Sequence, residues 1–144
     1  MTHTLQRELA GLPNAALTYR PKEKEWSIKE TAGHLCDAGH VLHKRLYMMI
    51  NLEEPHLPDY DRQEMVSRRD AQSAPIDELL VEFAAQRAET VDMLADLVHW
   101  NWARTGRHPM LGRISIRQQV DLWLEHEAEH LEQIRRLKAT AQAS

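Results

Sequence analysis

His126 and His130 lie four residues apart in Trp123-Leu124-Glu125-His126-Glu127-Ala128-Glu129-His130-Leu131. On a helix, residues i and i+4 share a face, with Cβ atoms about 5–6 Å apart. Two imidazoles so placed can hold one metal ion, and a third ligand must then come from elsewhere. The literal string is H-E-x-x-H, the zinc-protease pattern in which the glutamate is the general base. That reading requires a further ligand well downstream. Only fourteen residues follow His130; they contain no histidine, and their one acidic residue is Glu132. The third ligand is therefore expected upstream, and the candidates are His34, His40, His43, His56, His99 and His108. Spacing alone does not choose among them.

The histidine pair belongs to an apolar seam. Ile116, Val120, Trp123, Glu127, His130, Ile134 and Leu137 recur at bundle spacing, behind a capping-box signal at Ser115 and Gln118. A second helix opens with another capping box, Ser27 and Glu30. It carries Ile28, Ala32, Leu35, Gly39, Leu42, Leu46 and Met49 to about Asn51. His34 lies beside that seam, and His40 and His43 are read as partly exposed. Pro75 is placed to start a third helix through Leu79, Phe83, Val91 and Leu94 toward His99. Leu5, Leu9, Leu12 and Leu17 mark a shorter one near the N-terminus. Residues 51–74 hold Pro55 and Pro58 and are long enough to cross the bundle, with one helical turn expected around Asp61–Arg68. Residues 100–114 read as a loop and Ala139–Ser144 as a polar tail. No strand alternation is visible. The expectation is an all-α, four-helix bundle with a long crossover connection, built as a single domain over residues 1–144.

Net charge is −4, with scattered basic residues, which argues against nucleic acid as the main partner. One cysteine, Cys36, excludes an intramolecular disulfide and fits a reducing compartment. The first residues have no signal core, and no apolar run approaches the roughly 20 residues needed to span a bilayer. A cytoplasmic protein without a membrane partner is expected. Cys36 turns away from His34 on its helix and reads as a small core residue. Trp26 and Trp123 read as core, and Trp100, Trp102 and Met110 as candidates for the mouth of a pocket.

Three segments together resemble the DinB-like (DinB/YfiT) superfamily of metal-binding four-helix bundles. Arg20-Pro21, Trp26-Ser27, Glu30 and Gly33-His34-Leu35 are similar to the family's opening; His108-Pro109, Leu111-Gly112 and Ile114-Ser115 to its central loop; and His126, His130-Leu131 and Gln133-Ile134 to its ending. The resemblance implies His34, His126 and His130 as the metal ligands, and often a homodimer. It implies a small-molecule substrate, with thiol-dependent S-transferases using low-molecular-weight thiols and metal-dependent hydrolases as the activities. A non-catalytic metal-binding dimeric scaffold is the alternative. For three imidazoles Zn²⁺ is the default and Ni²⁺ is also suited. Asp61 in the crossover and Glu127 beside the pair are the candidate catalytic carboxylates. Asp37 and Glu129 are further candidates to orient the histidines.

Overall fold

A computed structural model describes residues 1–143; Ser144 lies outside the described residues. Four helices form the bundle: α1 (Thr2–Leu9), α3 (Ile28–Asn51), α5 (Ile76–Ala95) and α6 (Ile116–Ala143). Two shorter ones, α2 (Asn14–Leu17) and α4 (Arg62–Arg69), lie in the connections. α3 is central and packs on α5, α6 and α4, while α1 packs on α5 and α2 on α6. Among the described residues no helix is long and apolar enough to cross a membrane.

The capping boxes set the two helices that matter most. At the start of α3 the Ser27 hydroxyl accepts from Glu30 N, and the Glu30 carboxylate accepts from Ser27 N. The same reciprocal pair forms between Ser115 and Gln118 at the start of α6. Each satisfies backbone donors that a helix start leaves orphaned. At the other end of α3, Arg104 donates to the Met49 and Leu52 carbonyls and closes the helix.

Ala32, Ala71 and Leu79 form a small apolar cluster, and two larger ones take most of the apolar faces. One gathers Leu5, Leu9, Leu17, Ile28, Leu35, Phe83, Ile134 and Leu137; the other gathers Ala38, Leu42, Leu46, Met49, Leu57, Ile116 and Trp123. Gly39 explains the close approach of α5 to α3, because a Cβ there would overlap the Gln86 amide. The crossover is anchored by charge. Arg69 of α4 donates to Asp37 Oδ1 on α3 (2.6 Å) and to Glu82 Oε1 on α5 (2.8 Å).

Three features differ from the sequence expectation. Residues 100–114 are not simply loop: β1 (Thr105–His108) and β2 (Gly112–Ser115) form an antiparallel hairpin, with Gly112 at positive φ in its turn. Arg107 also pairs with the Pro55–Leu57 segment, so this hairpin is fixed by a contact about fifty residues away in sequence. α4 has two turns, not one, because Asp61 caps its start and Asp70 takes the left-handed conformation at its end. α6 continues through Ala143 instead of ending near residue 139.

Candidate metal centre

α3 and α6 run in opposite directions along a shared face, which brings His34 against His126 and His130. The three imidazoles offer ligand nitrogens that all lie within 4.8 Å of one another. His126 Nε2 is 3.0 Å from His130 Nε2 and 3.4 Å from His34 Nε2. Four-coordinate zinc with Zn–N bonds of about 2.0–2.1 Å separates its ligand nitrogens by about 3.3–3.4 Å. The observed spacings are close to that.

Protonation points the same way. His130 Nδ1 faces the Gln133 side-chain oxygen at 2.9 Å, so that nitrogen carries the proton and Nε2 presents a lone pair. A proton on His126 Nε2 can satisfy one of its two imidazole contacts and leaves the other unmade. His126 Nδ1 is buried without a partner among the described residues. The facing Nε2 atoms therefore do not satisfy one another, and a cation among them would take their lone pairs.

Burial keeps the rings neutral. It pushes His34 down to about 3 and His126 to about 4, and it lowers His130 as well. The neighbouring imidazoles add to the shift of His34 and His126, and Gln133 partly opposes it at His130. Arg62, exposed at the start of α4, bears on all three histidines and lowers each further. Neutral imidazole is the form that binds metal. Aromatic rings enclose the group: Trp26 lies 4.9 Å from His34 and 6.3 Å from His130 by ring centroids, and Trp123 lies 5.6 Å from His126.

The other candidate histidines are occupied elsewhere or exposed. His40 pairs with Glu82 and His43 with Thr90, while His56 and His99 are exposed. His108 Nδ1 accepts from the Met110 and Leu111 backbone and so shapes the hairpin turn. The two candidate carboxylates are not in the cluster. Asp61 is exposed and accepts from Glu64 N. Glu127 is buried and paired with Arg87 of α5. Asp37 is held by Arg69, and Glu129 is exposed. Cys36 is fully buried, and burial pushes its thiol up to about 12. Trp100 and Met110 are mostly exposed on the hairpin side. Sequence reasoning missed Gln133 and Arg62 and placed Trp26 in the core. Gln133 had a signal, since i+3 on α6 puts it on the same face as His130.

Known proteins share this arrangement of helices. Bacillus subtilis YfiT, described as "a probable metal-dependent hydrolase with an unusual four-helix bundle topology", superposes with a TM-score of 0.88, covering 96% of this chain and 80% of that one at 18% identity. That identity speaks to the fold alone. "Putative metal-dependent hydrolase OB0782" of Oceanobacillus iheyensis is 28% identical over 130 residues, 90% of this chain and 75% of that protein. "Uncharacterized protein YuaE" of Bacillus subtilis is 27% identical over 143 residues, 91% of this chain and 88% of that protein. The family model of the DinB superfamily matches residues 1–134, and with that match across nearly its whole length the chain belongs to the DinB superfamily.

Proposed function

We propose that this protein is a metal-dependent hydrolase of a small-molecule substrate, with His34, His126 and His130 holding one divalent ion. The observation that carries the reading is the convergence of three neutral imidazole nitrogens that cannot satisfy one another. The names of the relatives support it. Three protein ligands leave the ion open to a further partner, as in catalytic rather than closed structural sites.

A bound divalent ion would supply Lewis acidity and bring the pKa of a water or thiol it binds down toward ~7. The protein's own part is positioning. Gln133 fixes the His130 tautomer, the Trp26 and Trp123 rings hold the imidazoles in place, and Arg62 adds positive charge near the site. Zn²⁺ and Ni²⁺ both suit this ligand set. S-transfer from a low-molecular-weight thiol uses the same ion and is the second reading. The test carries both nucleophiles.

Metal content of protein purified without a histidine tag is compared with that of His126→Ala. One equivalent in the parent and loss in the variant is expected; equal content in both would remove these residues as ligands. Reconstituted and chelated protein are then assayed on ester and amide panels, and on an electrophile with bacillithiol or mycothiol. Metal-dependent hydrolysis is expected. Thiol consumption with an inert ester panel would replace hydrolysis by S-transfer, and inertness in both would leave a metal-binding scaffold.

A further inference from the structure

Two adjoining clefts of about 860 and 430 Å³ meet at Trp26. Both are lined by Lys24, Glu25, Trp26 and Gln63, so they form a continuous cleft between α4 and the segment leading into α3. Their size is in the range of small-molecule sites. His34, His126 and His130 line neither cavity. The link is the Trp26 ring, half-buried, which contacts two of the histidines and lines both cavities. Gln133 provides a second link: it holds His130 and also lines the smaller cavity. Arg62, which bears on all three histidines, is the neighbour of Gln63.

We propose that this cleft is the binding site for a flat organic anion and that Trp26 is the positioning residue between that ligand and the three histidines. Trp26 is the one large apolar surface the two cavities share, and it offers a planar group a stacking partner. Lys24 and Arg136 both line the smaller cavity, and neither has a carboxylate within 4 Å among the described residues. They outnumber Glu25 there, so an anionic end is placed beside Gln133. The larger cavity, with Glu23 and Asp70, offers acceptors to the rest of the ligand. The inference rests on the hydrolase reading for its biological meaning, and the cleft itself is tested without it.

The probe is 2-naphthoate, titrated calorimetrically into metal-free protein. Wild type should bind it, Trp26→Ala at least about tenfold more weakly, and Lys24→Glu with Arg136→Glu several-fold more weakly. Those three cleft positions are half-buried or exposed, and Gln63→Trp, on the exposed face of α4, is the second variant that should block binding by filling the cleft. Failure of wild type to bind, or binding unmoved by both Trp26→Ala and Gln63→Trp, overturns the cleft and leaves the metal centre standing. The positioning role has its own readout in metal-loaded protein, the rate of metal transfer to 4-(2-pyridylazo)resorcinol, a flat anionic chelator. Trp26→Ala should flatten the dependence on chelator concentration about tenfold, and Trp26→Phe should stay within about twofold. A rise in the chelator-independent rate alone would mean that Trp26 only supports the fold, and would overturn its role.

Discussion

The face shared by α3 and α6 buries polar groups at two places, and they are built oppositely. Arg45 follows His34 by eleven residues on α3, and Gln119 precedes His130 by eleven on α6. Eleven residues are three turns, so the two sites sit in helical phase about 16 Å apart. At the Arg45 end the guanidinium, 4% exposed, donates twice to the Pro58 carbonyl and once to Gln119. Among the described residues its charge has no carboxylate within 4 Å, yet its donors meet protein acceptors, and the result ties the crossover to the bundle. At the histidine end the polar atoms point at one another and cannot all be satisfied. Arg45, Gln119 and His34 are buried and His126 and His130 half-buried; what separates the two ends is whether the protein supplies the partner. Buried polar groups complete within the chain hold structure, and those left incomplete await something from outside.

Acid should separate the two ends most sharply. In metal-free protein His34 and His126 sit at about 3 and about 4, below the ordinary 6.5 that they regain on unfolding. Between those values the unfolded chain binds more protons, so stability falls as pH drops from about 6.5 toward 4. From pH 7 to pH 5 the loss is on the order of 2 kcal/mol for each histidine. Urea unfolding at both pH values measures it, and His34→Asn should flatten the profile. A pH-independent midpoint would mean that the imidazoles are not held neutral by burial. Arg45, charged across this range, contributes no such slope.

The converse is Arg45→Ala. It strands the Pro58 carbonyl and the Gln119 side chain, and should cost about 3 kcal/mol, since each unsatisfied buried group costs roughly 1–3. Metal content at 25 °C should remain one equivalent. Loss of metal from folded Arg45→Ala would show that the two ends are coupled through the crossover and Arg62. Gln133→Ala reverses the pattern. It should weaken metal binding by roughly 10–100-fold, as loss of an outer partner of a ligating histidine does. Unfolding free energy without metal should move by less than about 0.5 kcal/mol.

The difference between the ends also explains what could be read in advance. Apolar seams and capping boxes are local patterns, and Ile28, Leu35, Leu42, Leu46 and Met49 are all buried where their spacing put them. The inward turn of His126 and His130 follows from the same periodicity. The choice of His34 over His43 does not, because both flank one seam and only the packing of α5 gives His43 to Thr90. The hairpin was hidden because Thr105–His108 and Gly112–Ser115 have no alternation; their pairing depends on Pro55 and Leu57 from the crossover. Trp26 reads as an ordinary apolar residue before a helix cap, and only the fold sets it on His34 and His130. Glu127 follows His126 in an H-E-x-x-H string, yet one residue of helix turns it about 100° away and onto Arg87.

Asp61 gives the smallest effect and the finest discrimination. Its carboxylate accepts from Glu64 N, 3.1 Å away, and so caps α4, the helix that carries Arg62, whose charge bears on the histidines. A cap needs a side-chain oxygen but no charge. Asp61→Ala should therefore lower stability by about 1 kcal/mol, while Asp61→Asn should hold within a few tenths, because asparagine caps nearly as well. General-base chemistry needs the titrating carboxylate itself. If hydrolysis survives Asp61→Asn with unchanged kcat, Asp61 belongs with Arg45 among the groups whose partners lie within the chain. If kcat collapses while stability and metal content hold, its carboxylate acts on the substrate, and α4 becomes part of the reacting site as well as its frame.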